Sequence, residues 1–168
     1  ERLPVISQMP KCEHPPHLRK GFLFIGRFIP NKGIRVLIEA YSQIAPNPET
    51  WPLCLVGDGP LREGVTRLVK QKNLKGVTLP GFVSEKERHR YTREAKWMVT
   101  PPHTNEDLGL TPLEARSVGV PCIATTDGGV PETAGKNALF CKPGCVNSLA
   151  KSFQTAVDLS VCQYEQRS

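Results

Sequence analysis

The sequence predicts an α/β fold, a doubly wound parallel sheet of about six strands with helices on both faces. Three observations carry this. Short apolar runs alternate with amphipathic runs along most of the chain. The short runs are continuously apolar, as in strands covered on both faces, rather than alternating. Polar punctuation follows the strands, with Arg27 after the first, Asp58 after the second, Glu106 after the fourth and Asp127 after the fifth. In such folds ligands bind beyond the carboxyl ends of the strands, so these positions define one expected site.

Residues 1–20 carry Pro4, Pro10, Pro15 and Pro16 and read as an extended lead-in or interdomain linker; 21–168 form the domain. His14 and His17 lack further ligands nearby and read as surface loop. Phe22–Ile25 is the first strand. From Gly33 the pattern is helical, with Ile34, Leu37, Ile38, Tyr41 and Ile44 on one face, until Pro46 and Pro48 stop it. Leu53–Val56 is the second strand, and Leu61, Val65, Leu68 and Val69 face inward from the next helix. Val77–Leu79 is the third strand. Ser84 followed three residues later by Glu87 is a capping-box pattern that opens a charged helix running to about Ala95.

Trp97–Thr100 is the fourth strand, closed by Pro101-Pro102. A helix begins near Thr111-Pro112, where proline suits the first turn, and ends at Gly119. Pro121–Ala124 is a fifth strand, Val130–Ala134 a single helical turn and Ala138–Cys141 a sixth strand. Val146–Leu159 closes as a helix burying Leu149, Phe153, Ala156 and Val157, and the last few residues are expected to fray.

At 168 residues and 39% apolar content the chain is sized for one domain with a real core. It opens without a methionine, as a piece of a longer polypeptide would. No apolar run nears the ~18–20 residues needed to span a bilayer, and no signal-peptide pattern opens the chain. A cytoplasmic location is expected, with contact at the inner membrane face as an extension of it. The net charge of +6, from 22 basic and 16 acidic residues, suits a phosphate-bearing ligand or an anionic membrane surface. The basic residues are dispersed without interleaved aromatics, which argues against nucleic acid as a partner. Cys54, Cys122 and Cys141 sit inside apolar runs and read as small hydrophobes, and the cysteines together as reduced thiols rather than a zinc site.

Four stretches carry candidate chemistry. In Gly26-Arg27-Phe28-Ile29-Pro30-Asn31-Lys32-Gly33 a strand ends, two cations follow and a helix starts. Arg27 can fork onto two phosphate oxygens, Lys32 adds a point charge, and a helix start adds free N–H groups. The combination suits a diphosphate; a solvated basic loop is the alternative. Gly57-Asp58-Gly59-Pro60-Leu61-Arg62 has an arginine where a dinucleotide fingerprint ends in glycine, so it reads as a turn that walls a nucleotide pocket. Glu106 and Glu114 have seven residues between them, one in a loop and one a turn into a helix. They suit two separate hydroxyl acceptors on one extended ligand better than a paired acid and base. Amides from Leu108 to Thr111, through Gly109 and Leu110, would point from the helix start toward an anion or sugar oxygen. Lys86, Arg88, His89, Arg90, Arg93 and Lys96 make a basic helix, read as a solvated face with a membrane-surface patch as the alternative. His103, three residues before Glu106, reads as a polar loop residue near the pocket.

In order, GRFIPNKG, LVGDGP, VTLPGFV, EDLGLTPLEARSVGVPCIAT and GGVPE resemble the C-terminal, donor-binding domain of a retaining GT-B-fold glycosyltransferase of family 4, the glycosyl transferases group 1. The resemblance runs from about Gly21 to Leu159. It implies one Rossmann-like half of a GT-B fold, a hexosyltransferase as the full-length protein, and an N-terminal acceptor domain outside this chain. Arg27 and Lys32 would grip the donor diphosphate, Glu106 would face the donor sugar and Glu114 the ribose. Gly26, Gly57, Asp58, Gly59, Asp107, Leu108, Gly109, Leu110 and Thr111 would complete the donor site, with Phe82 and Val83 at the base. Arg27, Lys32 and Glu106 would carry the chemistry. No Asp-x-Asp motif appears, so no metal and no cofactor are expected beyond the substrate, a UDP-sugar by preference. Asp107-Leu108 stands where the family usually has glycine and phenylalanine, and His103 where a serine is common. Alone, this domain would bind nucleotide and turn over poorly. A non-catalytic nucleotide-binding module on the same fold is the alternative.

Overall fold

In the computed structural model the described residues are 15–102 and 109–168. They form a six-stranded sheet in the order β3-β2-β1-β4-β5-β6. The strands are β1 (Lys20–Ile25), β2 (Leu53–Val56), β3 (Val77–Gly81), β4 (Ala95–Thr100), β5 (Cys122–Thr125) and β6 (Leu139–Cys141). Every neighbouring pair is parallel. The helices are α1 (Ile34–Ile44), α2 (Arg62–Gln71), α3 (Glu85–Glu94), α4 (Leu110–Ser117), α5 (Val130–Ala134), α6 (Val146–Asp158) and α7 (Val161–Glu165).

Alternation along the strands divides the core in two. Phe22 and Phe24 of β1, Leu53 and Leu55 of β2, and Trp97 and Val99 of β4 face the layer of α1, α2, α6 and α7. Leu23, Val56, Met98, Cys122 and Ala124 face the layer of α4 and α5, with Tyr91 of α3 at its edge. The first layer is aromatic: Phe22 stacks on Trp51 at 5.1 Å between centroids and meets Phe153 edge-on at 4.6 Å. The second is built of small residues, including Ala115, Val118, Ala134 and Ala138. Burial pushes the Cys122 and Cys141 thiols up to about 12, so both act as hydrophobes as expected. β3 departs from the continuously apolar pattern, because Thr78 and Pro80 are exposed on what is an edge strand. Proline is tolerated there because an edge strand has a free side.

Two expectations at the ends need correction. β1 begins at Lys20, and the neighbouring Arg19 is buried and donates to the carbonyls of Gly119 and Val118. The C-terminal residues do not fray. Ser160 caps α7 in a capping box with Gln163, Tyr164 is 2% exposed, and its hydroxyl donates to the Lys96 carbonyl at 2.8 Å. The Tyr164 ring meets Trp97 edge-on at 5.8 Å, tying α7 to the centre of the sheet. Lys96, taken as part of the basic helix, lies in β4 instead, its ammonium over the rings of Trp51 and Tyr164. Among the described residues no helix is long and apolar enough to cross a membrane.

Candidate functional site

The strand order reverses between β1 and β4, so their carboxyl ends open a crevice there. One hollow of about 460 Å³ lies over this point, bounded by Gly26, Arg27 and Lys32 on one side and Gly109, Leu110 and Thr111 on the other. A second, of about 220 Å³, lies toward β2 and β3 and is lined by Arg27, Gly57, Asp58, Phe82, Val83 and Arg88. Both hollows share Ile25, Gly26 and Arg27. They are two arms of one crevice that bends around the end of β1.

Close backbone packing sets the loops. Gly33 has φ +68°, and a Cβ there would lie 1.9 Å from the Pro101 carbonyl oxygen. The Pro30–Lys32 turn is thereby pressed against the end of β4, which brings Lys32 to the first hollow. Gly57 has φ +132°, and its Cβ would lie 1.9 Å from the Gly26 carbonyl oxygen. Only glycine fits either place without moving the facing strand end. Asp58 accepts from the Gly59 amide at 2.7 Å and lies 3.8 Å from Arg62, which fixes the turn after β2.

The two arms differ in chemistry. The first offers cations and backbone. Arg27 is exposed at the shared corner, Lys32 is half-buried, and α4 starts at Gly109 with no side-chain cap. The amides of Leu110 and Thr111 therefore begin a helix whose positive dipole end meets the hollow. Among the described residues, the buried Thr100 hydroxyl at the end of β4 has no hydrogen-bond partner. The second arm offers side-chain surface. Phe82 is 87% exposed, an unusual position for a phenylalanine unless something covers it. Beside it Arg88 of α3 forms an ion pair with Glu114 of α4, whose side chain is 9% exposed.

Residues 9–167 match the model of the family described as glycosyl transferases group 1. The chain belongs to that family. A 2-deoxystreptamine N-acetyl-D-glucosaminyltransferase of Niallia circulans is 32% identical over 135 residues, 79% of this chain and 34% of that protein. The chain spans about a third of the length of the curated relatives it matches. The C-terminal domain of the group 1 glycosyl transferase LpcC from Francisella tularensis has a TM-score of 0.82 at 22% identity, covering 97% of this chain and 92% of that one. HepE from Anabaena, solved in complex with UDP-glucose, has a TM-score of 0.77 at 21% identity, covering 90% and 42%. These likenesses fix the fold: the Rossmann-like half of a GT-B architecture expected from the sequence is the one observed.

Of the residues singled out in the sequence, Gly26, Arg27, Lys32, Gly109, Leu110 and Thr111 meet at the first arm. Gly57, Asp58, Phe82 and Val83 meet at the second. Gly59 packs on Phe28, where a Cβ would lie 2.7 Å from its carbonyl oxygen, so its part is to fold the turn. His103, Glu106, Asp107 and Leu108 lie outside the described residues. Glu114 is neither a solvated helix glutamate nor isolated, being buried against Arg88. Arg88 is the site residue that sequence reasoning missed. It was counted with a solvated basic face, yet only Lys86, Arg90 and their exposed neighbours form that face. The signal was present at helical spacing: Arg88 and the buried Thr92 stand four residues apart on one stripe, and the Thr92 hydroxyl donates to the Arg88 carbonyl at 2.9 Å.

Proposed function

We propose that this chain is the donor-binding domain of a retaining glycosyltransferase. The full-length protein would move a hexose from a nucleoside diphosphate sugar, UDP by preference, to a glycan or lipid-linked acceptor held by an N-terminal acceptor domain. One observation carries the reading: Arg27, Lys32 and the uncapped start of α4 meet at a single hollow. Two cations and two amides around one space match the charge and size of a diphosphate. The second arm extends from the same corner and holds an exposed aromatic face for a base, with Arg88 and Glu114 beside it. Glu114 is read as the acceptor for ribose hydroxyls and Glu106 as the acceptor for the donor sugar. HepE, which shares the fold, was solved with UDP-glucose, and this supports a nucleotide sugar as the ligand.

In the reaction the bond from the anomeric carbon to the diphosphate oxygen breaks, an acceptor hydroxyl oxygen takes its place with the same configuration, and the hydroxyl proton passes to the leaving diphosphate. Negative charge grows on the leaving diphosphate. Arg27, Lys32 and the helix start are placed to stabilise it, the task a divalent metal performs in other transferases. No metal is assigned to this step. Calorimetry with UDP, GDP and ADP tests the binding half of the proposal. UDP is expected to bind at submillimolar concentration and more tightly than the other two. Absence of heat from all three at millimolar concentration would overturn it.

A further inference from the structure

The Arg88–Glu114 pair joins α3 to α4, and Arg88 lines the second arm. Stability alone is a poor account of it. Desolvating two charges costs about what their attraction returns, and apolar residues of similar volume would pack at least as well. The geometry is more specific. Arg88 Nη1 donates to Glu114 Oε2, while Nη2 lies 3.9 Å from Oε1 of the exposed Glu85. The guanidinium is thus anchored by Glu114, with the exposed Glu85 carboxylate at outer ion-pair distance. Glu114 has one oxygen engaged, and among the described residues no second hydrogen bond reaches the carboxylate. A carboxylate accepts at both oxygens, so Oε1 keeps its accepting capacity.

We propose that Arg88 is a positioning residue for nucleotide selection: it holds Glu114 in one rotamer with Oε1 turned to accept from the vicinal hydroxyls of a nucleoside diphosphate's ribose. The inference rests on the reading of Glu114 as the ribose acceptor. Arg88 acts through Glu114 and gives the site its preference for a ligand that carries both hydroxyls.

The test is calorimetry on the full chain with UDP and with a UDP analogue lacking both ribose hydroxyls. Wild type prefers UDP by about tenfold or more, the size of a hydrogen bond to a charged group. Arg88→Leu brings the ratio close to one by weakening UDP more than the analogue. Arg88→Lys recovers part of the preference. If Arg88→Leu does not fold, Arg88→Gln takes its place and is expected to at least halve the ratio. A wild-type preference that survives substitution of Arg88 overturns the inference. So does tighter binding of both ligands, which would make the pair a lock that the ligand must break. A wild type without any preference overturns the ribose reading of Glu114 itself, and Arg88 with it, so the two failures are told apart.

Discussion

The two layers on either side of the sheet are built to different rules. The layer of α1, α6 and α7 is packed with large rings: Phe22, Tyr41, Trp51, Trp97, Phe153 and Tyr164 form one connected cluster. The layer of α4 and α5 rests on alanines, valines and a cysteine. The start of α4 meets the end of β4, where Leu110, Thr111 and Thr100 line one hollow. Large rings hold the fold, while the start of α4 brings the Leu110 and Thr111 amides to the crevice. The division is not complete, because Phe24 and Val99 of the aromatic side also line the first arm.

The comparison breaks first if the aromatic layer turns out to govern binding. Phe153 is fully buried between Phe22 and Tyr41. Phe153→Ala is expected to cost about 3–5 kcal/mol of stability by denaturant titration. Below the unfolding transition its affinity for UDP should stay within about twofold of wild type. A loss of affinity in the folded variant would show that the layers are not independent.

A smaller effect sharpens the same contrast from the other side. Arg27→Ala removes an exposed cation from the corner shared by both arms. The expected loss is about 1.5–3 kcal/mol of UDP binding, roughly ten- to a hundredfold, the scale of charge-assisted hydrogen bonds. The melting temperature should not move, because surface substitutions away from structural features change stability by less than about 0.5 kcal/mol. The smallest expected effect concerns α7. Tyr164→Phe deletes the hydroxyl that donates to the Lys96 carbonyl while keeping the ring against Trp97. It should cost about 1 kcal/mol of stability with no change in UDP affinity.

The sequence made the fold legible because its strands announce themselves. Phe22–Ile25 and Leu53–Val56 are short, continuous and apolar, and each is followed by a helix with clear periodicity. The cations at the first arm were legible for the same reason, since Arg27 and Lys32 follow a strand end at a fixed distance. Two readings failed where a rule was applied in one place and not another. The capping pattern that marked Ser84 and Glu87 recurs as Ser160 and Gln163, and it starts a helix there too. Arg88 failed because six basic residues were read as one face. Helical spacing separates them, and Arg88 shares a stripe with the buried Thr92 while Lys86 and Arg90 stay exposed. The pairing of Arg88 with Glu114 spans 26 residues and depends on how α3 packs against α4, so no local pattern encodes it.

Amide chemical-shift mapping by NMR during a UDP titration tests the central claim most directly. The account predicts the largest shifts at Gly26, Arg27, Lys32, Leu110 and Thr111, with a second group at Gly57, Phe82 and Val83, and none along α6 or α7. Shifts concentrated elsewhere, or no shifts at millimolar UDP, would contradict it.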